Sequence, residues 1–229
     1  MLDDKLAELI AEPGVTEVCE LRSRFGFLAL HGGSLEQVTD YLALEAAARG
    51  DASVYAIVQP PGFRWHVPAI AMRPSGSPAL RAFLQHVDTV VSIHGFGIDS
   101  LFVRGRNGAD PTHPDGSVKG FAADAPYQPA DAILLGGQNR ELAARVGTVL
   151  RRDLADYDVV DDLDHIPTRL RGMHPDNPVN LPRQAGVQLE CCPGVRGLGP
   201  RWRHLGPGER APQTERFVAA LASVARLHG

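Results

Sequence analysis

Three short segments carry the side chains best suited to binding a metal and moving a proton. The first, Leu28-Ala29-Leu30-His31-Gly32-Gly33-Ser34-Leu35-Glu36, sets a histidine and a carboxylate on either side of a glycine pair. Phe25 to Leu30 reads as a short buried strand, and Gly32-Gly33 then admits backbone angles that other residues resist. Ser34 is expected to cap a helix, with Gln37 completing a capping box. That puts Glu36 in the first helical turn, where the helix dipole favours a carboxylate. On one helix, positions five apart would diverge, but across a strand-to-helix turn His31 and Glu36 converge. The second segment is the β-branched run Asp88 to Ile93, a buried strand that ends in His94-Gly95. The third, Gly186-Val187-Gln188-Leu189-Glu190, brings another carboxylate to a strand end. In a mostly parallel sheet the strand ends gather on one side, and ligands bind in the crevice there. Two histidines, one glutamate and a position left to water make a catalytic zinc set. The expected ligands are His31, Glu36 and His94, with Glu190 as general base and not as a fourth ligand.

These segments resemble the zinc-dependent poly-γ-glutamate hydrolases of bacteriophages and bacteria, whose core is similar to that of zinc carboxypeptidases. The resemblance rests on His-Gly-Gly with a glutamate five residues after the histidine (His31 to Glu36) and on Ser-Ile-His-Gly (Ser92 to Gly95). It rests also on the pair Gly136-Gly137 and on Gly-Val-Gln-Leu-Glu followed by an arginine (Gly186 to Glu190, then Arg196). The pieces stand in the family's order and span most of the chain. The resemblance implies that His31, Glu36 and His94 bind zinc, that Glu190 is catalytic, and that the substrate is an anionic glutamyl polymer. The chain departs from the family at Trp65-His66-Val67-Pro68-Ala69, at Cys191-Cys192, and in the length of Phe102 to Ala130. These departures fall on the expected pocket wall more than on the metal set.

Helix and strand candidates alternate along the chain, which favours an α/β layer architecture. Apolar residues at Leu35, Val38, Leu42 and Ala46 predict a helix over Leu35 to Arg49, stopped by Gly50. Val54 to Val58 reads as a strand, and Ser77-Pro78 opens a helix that runs to about Gln85. Further on, Ala132 to Leu135 and Tyr157 to Val160 read as strands, with helices over Arg140 to Leu154 and Thr214 to Leu227. Phe102 to Pro129, rich in Gly, Pro and Asp, has the length of a lid over the site. The expected fold is a single domain over residues 1–229: a mixed, mostly parallel sheet flanked by helices, similar to zinc carboxypeptidases.

A chain of 229 residues with 44% hydrophobic residues can bury one sizeable core. Its net charge of −4 argues against nucleic acid or an anionic membrane as partner. Charge is uneven, however: His165 to Arg216 holds eight arginines against Asp176, Glu190, Glu209 and Glu215, a region that could receive an anionic substrate. Arg196, in the glycine-flanked turn Pro193 to Gly197, is the expected partner of a substrate carboxylate, with Asn180 and Arg183 as further substrate-binding candidates. The start, Met1-Leu2-Asp3-Asp4-Lys5, lacks the apolar stretch of a signal peptide, and no run is long enough to cross a membrane. Three cysteines, two of them adjacent, make reduced thiols and a cytoplasmic site the natural expectation.

Other chemistries are weaker. His-Gly-Gly also opens the oxyanion loop of some serine esterases, but no Gly-x-Ser-x-Gly elbow is present. Neither a dinucleotide fingerprint nor a Walker loop occurs. The remaining histidines lack paired spacing, and His66 is the first pocket candidate among them, although a core or surface role is the simpler reading. The expected activity is zinc-dependent hydrolysis of γ-glutamyl amide bonds, most of all in poly-γ-glutamate. The alternatives are a related amidase or carboxypeptidase-like enzyme on another acidic peptide, and a binding protein on the same scaffold.

Overall fold

The computed structural model describes residues 5–97, 127, 129–199, 202, 204–206 and 208–228. The lid expected over Phe102 to Pro129 falls almost entirely outside them. Seven strands form one sheet in the order β1 (Thr16–Glu20), β3 (Ser53–Gln59), β2 (Phe25–Gly33), β4 (Thr89–Gly95), β7 (Gly186–Cys191), β5 (Ala132–Gly136), β6 (Asp158–Val160). The central four, β3, β2, β4 and β7, run parallel. At one edge β1 pairs antiparallel with β3, and at the other β5 runs antiparallel to β7 and parallel to β6. The fold is therefore mixed α/β with a mostly parallel centre, as the strand pattern and the resemblance implied.

Both faces of the central strands are covered, which explains why β2 reads as a continuous buried run and does not alternate. On one face, α2 (Thr39–Gly50), α4 (Arg140–Asp153) and α5 (Pro212–Arg226) bury a core that includes Phe25, Phe27, Ala46, Val91, Leu134, Val146, Leu189 and Phe217. On the other, α1 (Lys5–Ile10) and α3 (Pro78–His86) bury Leu6, Leu28, Leu30, Tyr55, Leu80, Phe83 and Val90. Helix α3 starts as the sequence indicates: Ser77 Oγ accepts from Leu80 N–H at 2.9 Å and proline occupies the first turn. The short elements α1 and β1 carry no strong periodic signal and were not anticipated.

The expected helix start at Ser34 is not observed. Residues 34–38 form turns, and α2 opens at Thr39. Ser34 Oγ instead donates to Pro60 O at 2.8 Å, with Phe63 O alongside, so its hydroxyl pins a loop and caps no helix. Glu36 therefore sits in the connection before α2, outside any helical turn. Two residues later Val38 adopts φ 78°, a left-handed conformation that costs a β-branched residue about 1–2 kcal/mol. Surrounding structure sustains it: Leu42 N–H bonds Val38 O at 2.9 Å, and the Val38 side chain packs on the core.

Candidate active site

The carboxyl ends of β2, β4 and β7 meet at one edge of the sheet. His94 and Glu190 are register partners in β4 and β7, as are Ser92 and Gln188 two residues earlier. Each pair thus shares one face of the sheet. His31 reaches the same place through an irregularity. Ala29 pairs with Ala56 but Gly32 with Val58, so β2 carries one extra residue, a bulge that re-aims the side chain beside it. Gly33 completes the exit at φ 72°, where a Cβ would lie 2.1 Å from Gln59 O.

The donor atoms converge. His31 Nδ1 is 2.9 Å from Glu36 Oε1, His94 Nδ1 is 3.2 Å from His31 Nδ1, and His94 Nδ1 is 3.4 Å from Glu36 Oε2. His31 Nε2 lies 2.8 Å from Val67 O, a group that only accepts, so Nε2 carries a proton and Nδ1 is the ring nitrogen turned to the cluster. His94 has its Nε2 3.1 Å from Ser92 Oγ, which leaves its Nδ1 facing the same point. Gly95 N–H donates to Glu36 Oε2 at 3.0 Å and orients the carboxylate. Two lone-pair nitrogens and a carboxylate so close repel one another unless a proton or a cation lies among them. Tetrahedral zinc, with bonds of about 2.0–2.1 Å, spaces its ligand atoms about 3.3 Å apart, so this donor set fits such an ion. The second-sphere partners, a carbonyl and a hydroxyl on the far ring nitrogens, fit it too.

Electrostatics follow from this packing. Burial by itself would raise the Glu36 carboxyl, but His31 and His94 outweigh it and hold the group well below the usual carboxylate range. Burial by itself would lower His94, yet Glu36 and, more weakly, Glu190 raise it. Glu190 is displaced the other way: burial, opposed by His94 and reinforced by Glu36, pushes it up to about 7. One of its oxygens accepts from Gln188 Nε2 at 2.9 Å, while Gln188 Oε1 accepts from Asn177 Nδ2 at 3.0 Å. Among the described residues, Glu190 Oε2 has no hydrogen-bond partner, and Glu190 lines the cavity.

That cavity, of about 740 Å³, is lined by His31, Glu36, His94 and Glu190, and also by Arg64, His66, Arg169 and His174. His66 belongs to the site more closely than its sequence context suggests. Its ring centroid is 4.9 Å from that of His31, and His31, Glu36 and His66 offer donor atoms that all lie within 4.8 Å of one another. The signal available was its position in the loop after β3, whose end adjoins β2. Gln59 braces that loop, donating from Nε2 to Trp65 O and accepting from Trp65 N–H, both at 2.9 Å. Gln188 stood inside the Gly186 to Glu190 motif without a role assigned to it, and Asn177, which holds Gln188, gave no signal in the sequence.

The three substrate-binding candidates are placed elsewhere. Arg196 is buried and donates to three backbone carbonyls, so it is not displayed on a flexible turn. Asn180 uses its amide to tie loops together, donating to Gly172 O at 2.7 Å and His174 O at 2.9 Å and accepting from Gln138 N–H at 3.0 Å. Arg183 pairs with Asp88 at 3.1 Å, just before the start of β4. His94 stands near the other end of that seven-residue strand, roughly 20 Å away at the usual strand rise. Sequence proximity to the Glu190 strand misleads here because the preceding loop feeds the strand's beginning, whereas the chemistry sits at its end.

Two solved structures share this fold. A bacteriophage poly-γ-glutamate hydrolase superposes with a TM-score of 0.69 over 96% of this chain and 93% of its own, at 18% identity. A zinc-free apo form of YNDL superposes with a TM-score of 0.66 over 92% of this chain and 88% of its own, at 17% identity. No curated protein sequence matches the chain. The sequence profile of the poly-γ-glutamate hydrolases matches residues 5–111 and 117–217, nearly the whole length and including all three site-bearing strands. The chain belongs to the poly-γ-glutamate hydrolase family.

Proposed function

We propose that the protein is a zinc-dependent hydrolase of γ-glutamyl amide bonds in poly-γ-glutamate, with zinc held by His31, Glu36 and His94. The observation that carries this reading is the convergence of His31, Glu36 and His94, whose donor atoms make one contact per pair at 2.9 to 3.4 Å, beside the buried Glu190. A zinc ion held there supplies a Lewis acid that polarises the amide carbonyl and acidifies water. His94 is preferred to His66 as third ligand because it is buried and its spacing matches tetrahedral edges, whereas His66 stands exposed beside the cavity.

Glu190 accepts a proton from the attacking water and delivers it to the leaving amine nitrogen. Gln188 and Asn177 hold its carboxylate for this task. The polymer carries a free carboxylate on every unit, and Arg64 and Arg169 are the cavity arginines able to meet it. Leu35, Pro68, Ile70 and Met173 offer apolar surface to the methylene groups of its backbone. Cytoplasmic residence and a phage-related origin remain part of the proposal, the first supported by the three free cysteines and the second by the likeness to the bacteriophage enzyme.

The test is metal analysis of purified protein together with size analysis of poly-γ-glutamate and poly-α-glutamate after incubation. One zinc per chain and shortening of the γ-linked polymer, abolished by a chelator and restored by zinc, is expected. Stoichiometric zinc with no cleavage of either polymer would favour a binding protein on this scaffold. Cleavage of the α-linked polymer alone would favour a carboxypeptidase-like enzyme on acidic peptides.

A further inference from the structure

Arg196 is only 5% exposed, and its guanidinium is shared among three segments. Nη1 donates to Gln37 O at 3.0 Å, Nη2 to Phe96 O at 2.7 Å, and Nε to Cys192 O at 3.4 Å. Gln37 follows Glu36, Phe96 lies two residues after His94, and Cys192 lies two residues after Glu190. One rigid, planar, permanently charged group therefore bonds the backbone just beyond each of three side chains in the site, although those side chains come from distant parts of the chain. Only arginine offers several donors in a fixed fork; a lysine ammonium is a compact point charge. Glycine makes room for it: a Cβ at Gly95 would lie 2.6 Å from both Cζ and Nη1 of Arg196. The carbonyl it holds at Gln37 adjoins Val38, whose left-handed conformation needs such external support.

We propose that Arg196 is a positioning residue whose guanidinium locks the segments after Glu36, His94 and Glu190 at one mutual spacing, so that the metal donors and the base stay in register. The proposal rests on the site described under Proposed function, and it assigns Arg196 no contact with substrate.

Three variants test it. Arg196→Met removes charge and bonds, Arg196→Lys keeps the charge without the fork, and Gly95→Ala shifts the guanidinium while the arginine itself is retained. In metal-free protein, amide hydrogen exchange should accelerate together in peptides covering residues 31–38, 92–97 and 188–196, while peptides of β5 and α4 stay protected. With cobalt(II) as spectroscopic probe, the visible absorption should change in all three variants. On poly-γ-glutamate, kcat should fall roughly tenfold or more with KM within about twofold, since small misplacements of reacting groups are costly. If Arg196→Met does not fold, Arg196→Lys and Gly95→Ala carry the test. Full recovery of exchange, spectrum and kcat in Arg196→Lys would overturn the proposal, since charge alone would then suffice. A raised KM with unchanged kcat would overturn it in favour of substrate contact. Lower thermal stability with unchanged spectrum and kcat would overturn it in favour of a role in folding alone. Should the wild type bind no cobalt and cleave no polymer, the functional reading fails, while the exchange measurement still decides whether Arg196 couples the three segments.

Discussion

His94 and His66 both stand beside His31 and Glu36, and burial separates their roles. His94 is enclosed, with Ser92 fixing its far nitrogen, whereas His66 is exposed at the cavity. His94→Ala should reduce zinc to a small fraction of one per chain, whereas His66→Ala should retain stoichiometric zinc; elemental analysis after dialysis decides, and the reverse result would exchange the two assignments. Glu190→Gln should keep zinc and lose about a hundred- to ten-thousand-fold in kcat, the usual contribution of a general base. The same substitution has a thermodynamic signature. The Glu190 carboxyl is raised to about 7 when folded, above its ordinary value, so the folded state holds that proton more tightly than the unfolded chain. The resulting stabilisation is complete below the unfolded pKa near 4 and disappears as pH rises through about 7. Metal-free wild type should therefore lose more stability than metal-free Glu190→Gln between pH 5 and pH 8. The excess is at most about 3 kcal/mol, which thermal melts at the two pH values would show as several degrees.

The β2 exit governs the site at the scale of elements. A bulge turns His31 toward His94, the glycine pair lets the chain leave the sheet beside β3, and tight turns return Glu36, whose N–H bonds His31 O at 2.9 Å. Gly33→Ala would combine a positive φ with a collision against the β3 backbone. It should cost at least about 2 kcal/mol, from left-handed strain plus the backbone shift, and lower the melting temperature even without metal. An unchanged melting temperature would mean that this exit is more adaptable than its contacts indicate. Loops on the opposite side of the cavity are held by amides: Asn180 and Gln188 bond the backbone of residues 170–174, the segment next to Arg169. Asn180 thus serves the cavity wall without touching the cavity.

For the whole molecule, net charge and local field have different consequences. The chain is acidic overall, yet of the arginines concentrated after His165 only Arg169 lines the cavity among the described residues, joined by Arg64 from a different region. Exposed pairs contribute about 0.2–1 kcal/mol each, so Arg64→Ala and Arg169→Ala should each raise KM for poly-γ-glutamate by about two- to fivefold. Wild-type KM should rise with ionic strength, and less steeply in the double variant. Initial rates at low and high salt check this, and a salt-independent KM would remove the anionic steering. We further propose that residues 1–229 fold as one domain, because β7, late in the chain, lies between β4 and β5 at the middle of the sheet. Unfolding in denaturant followed by circular dichroism and by tryptophan fluorescence should give coincident single transitions, whereas separated midpoints would indicate independent units.

Much of the arrangement was written locally. β-Branched and apolar runs marked β2 to β7, and Ser77-Pro78 marked the start of α3, since burial on both faces and capping are properties of short segments. His31, His94 and Glu190 were candidates as ionisable groups at the ends of buried strands, and Glu36 as the carboxylate facing His31 across the turn, since a buried unpaired carboxylate is costly. Their convergence, by contrast, depends on strand order: β4 beside β7 puts His94 next to Glu190, and no local pattern encodes that neighbour. The turns at Glu36 also lay beyond local reading, because Ser34 has the composition of a helix cap but finds better partners in Pro60 and Phe63 from another loop. Arginines differ most. Arg183, Arg169 and Arg196 look alike in sequence, yet one sits at the far end of the sheet, one at the cavity, and one beneath the site. A long flexible side chain takes its role from whichever acceptors the tertiary structure places around it, and here those acceptors come from segments up to 159 residues away.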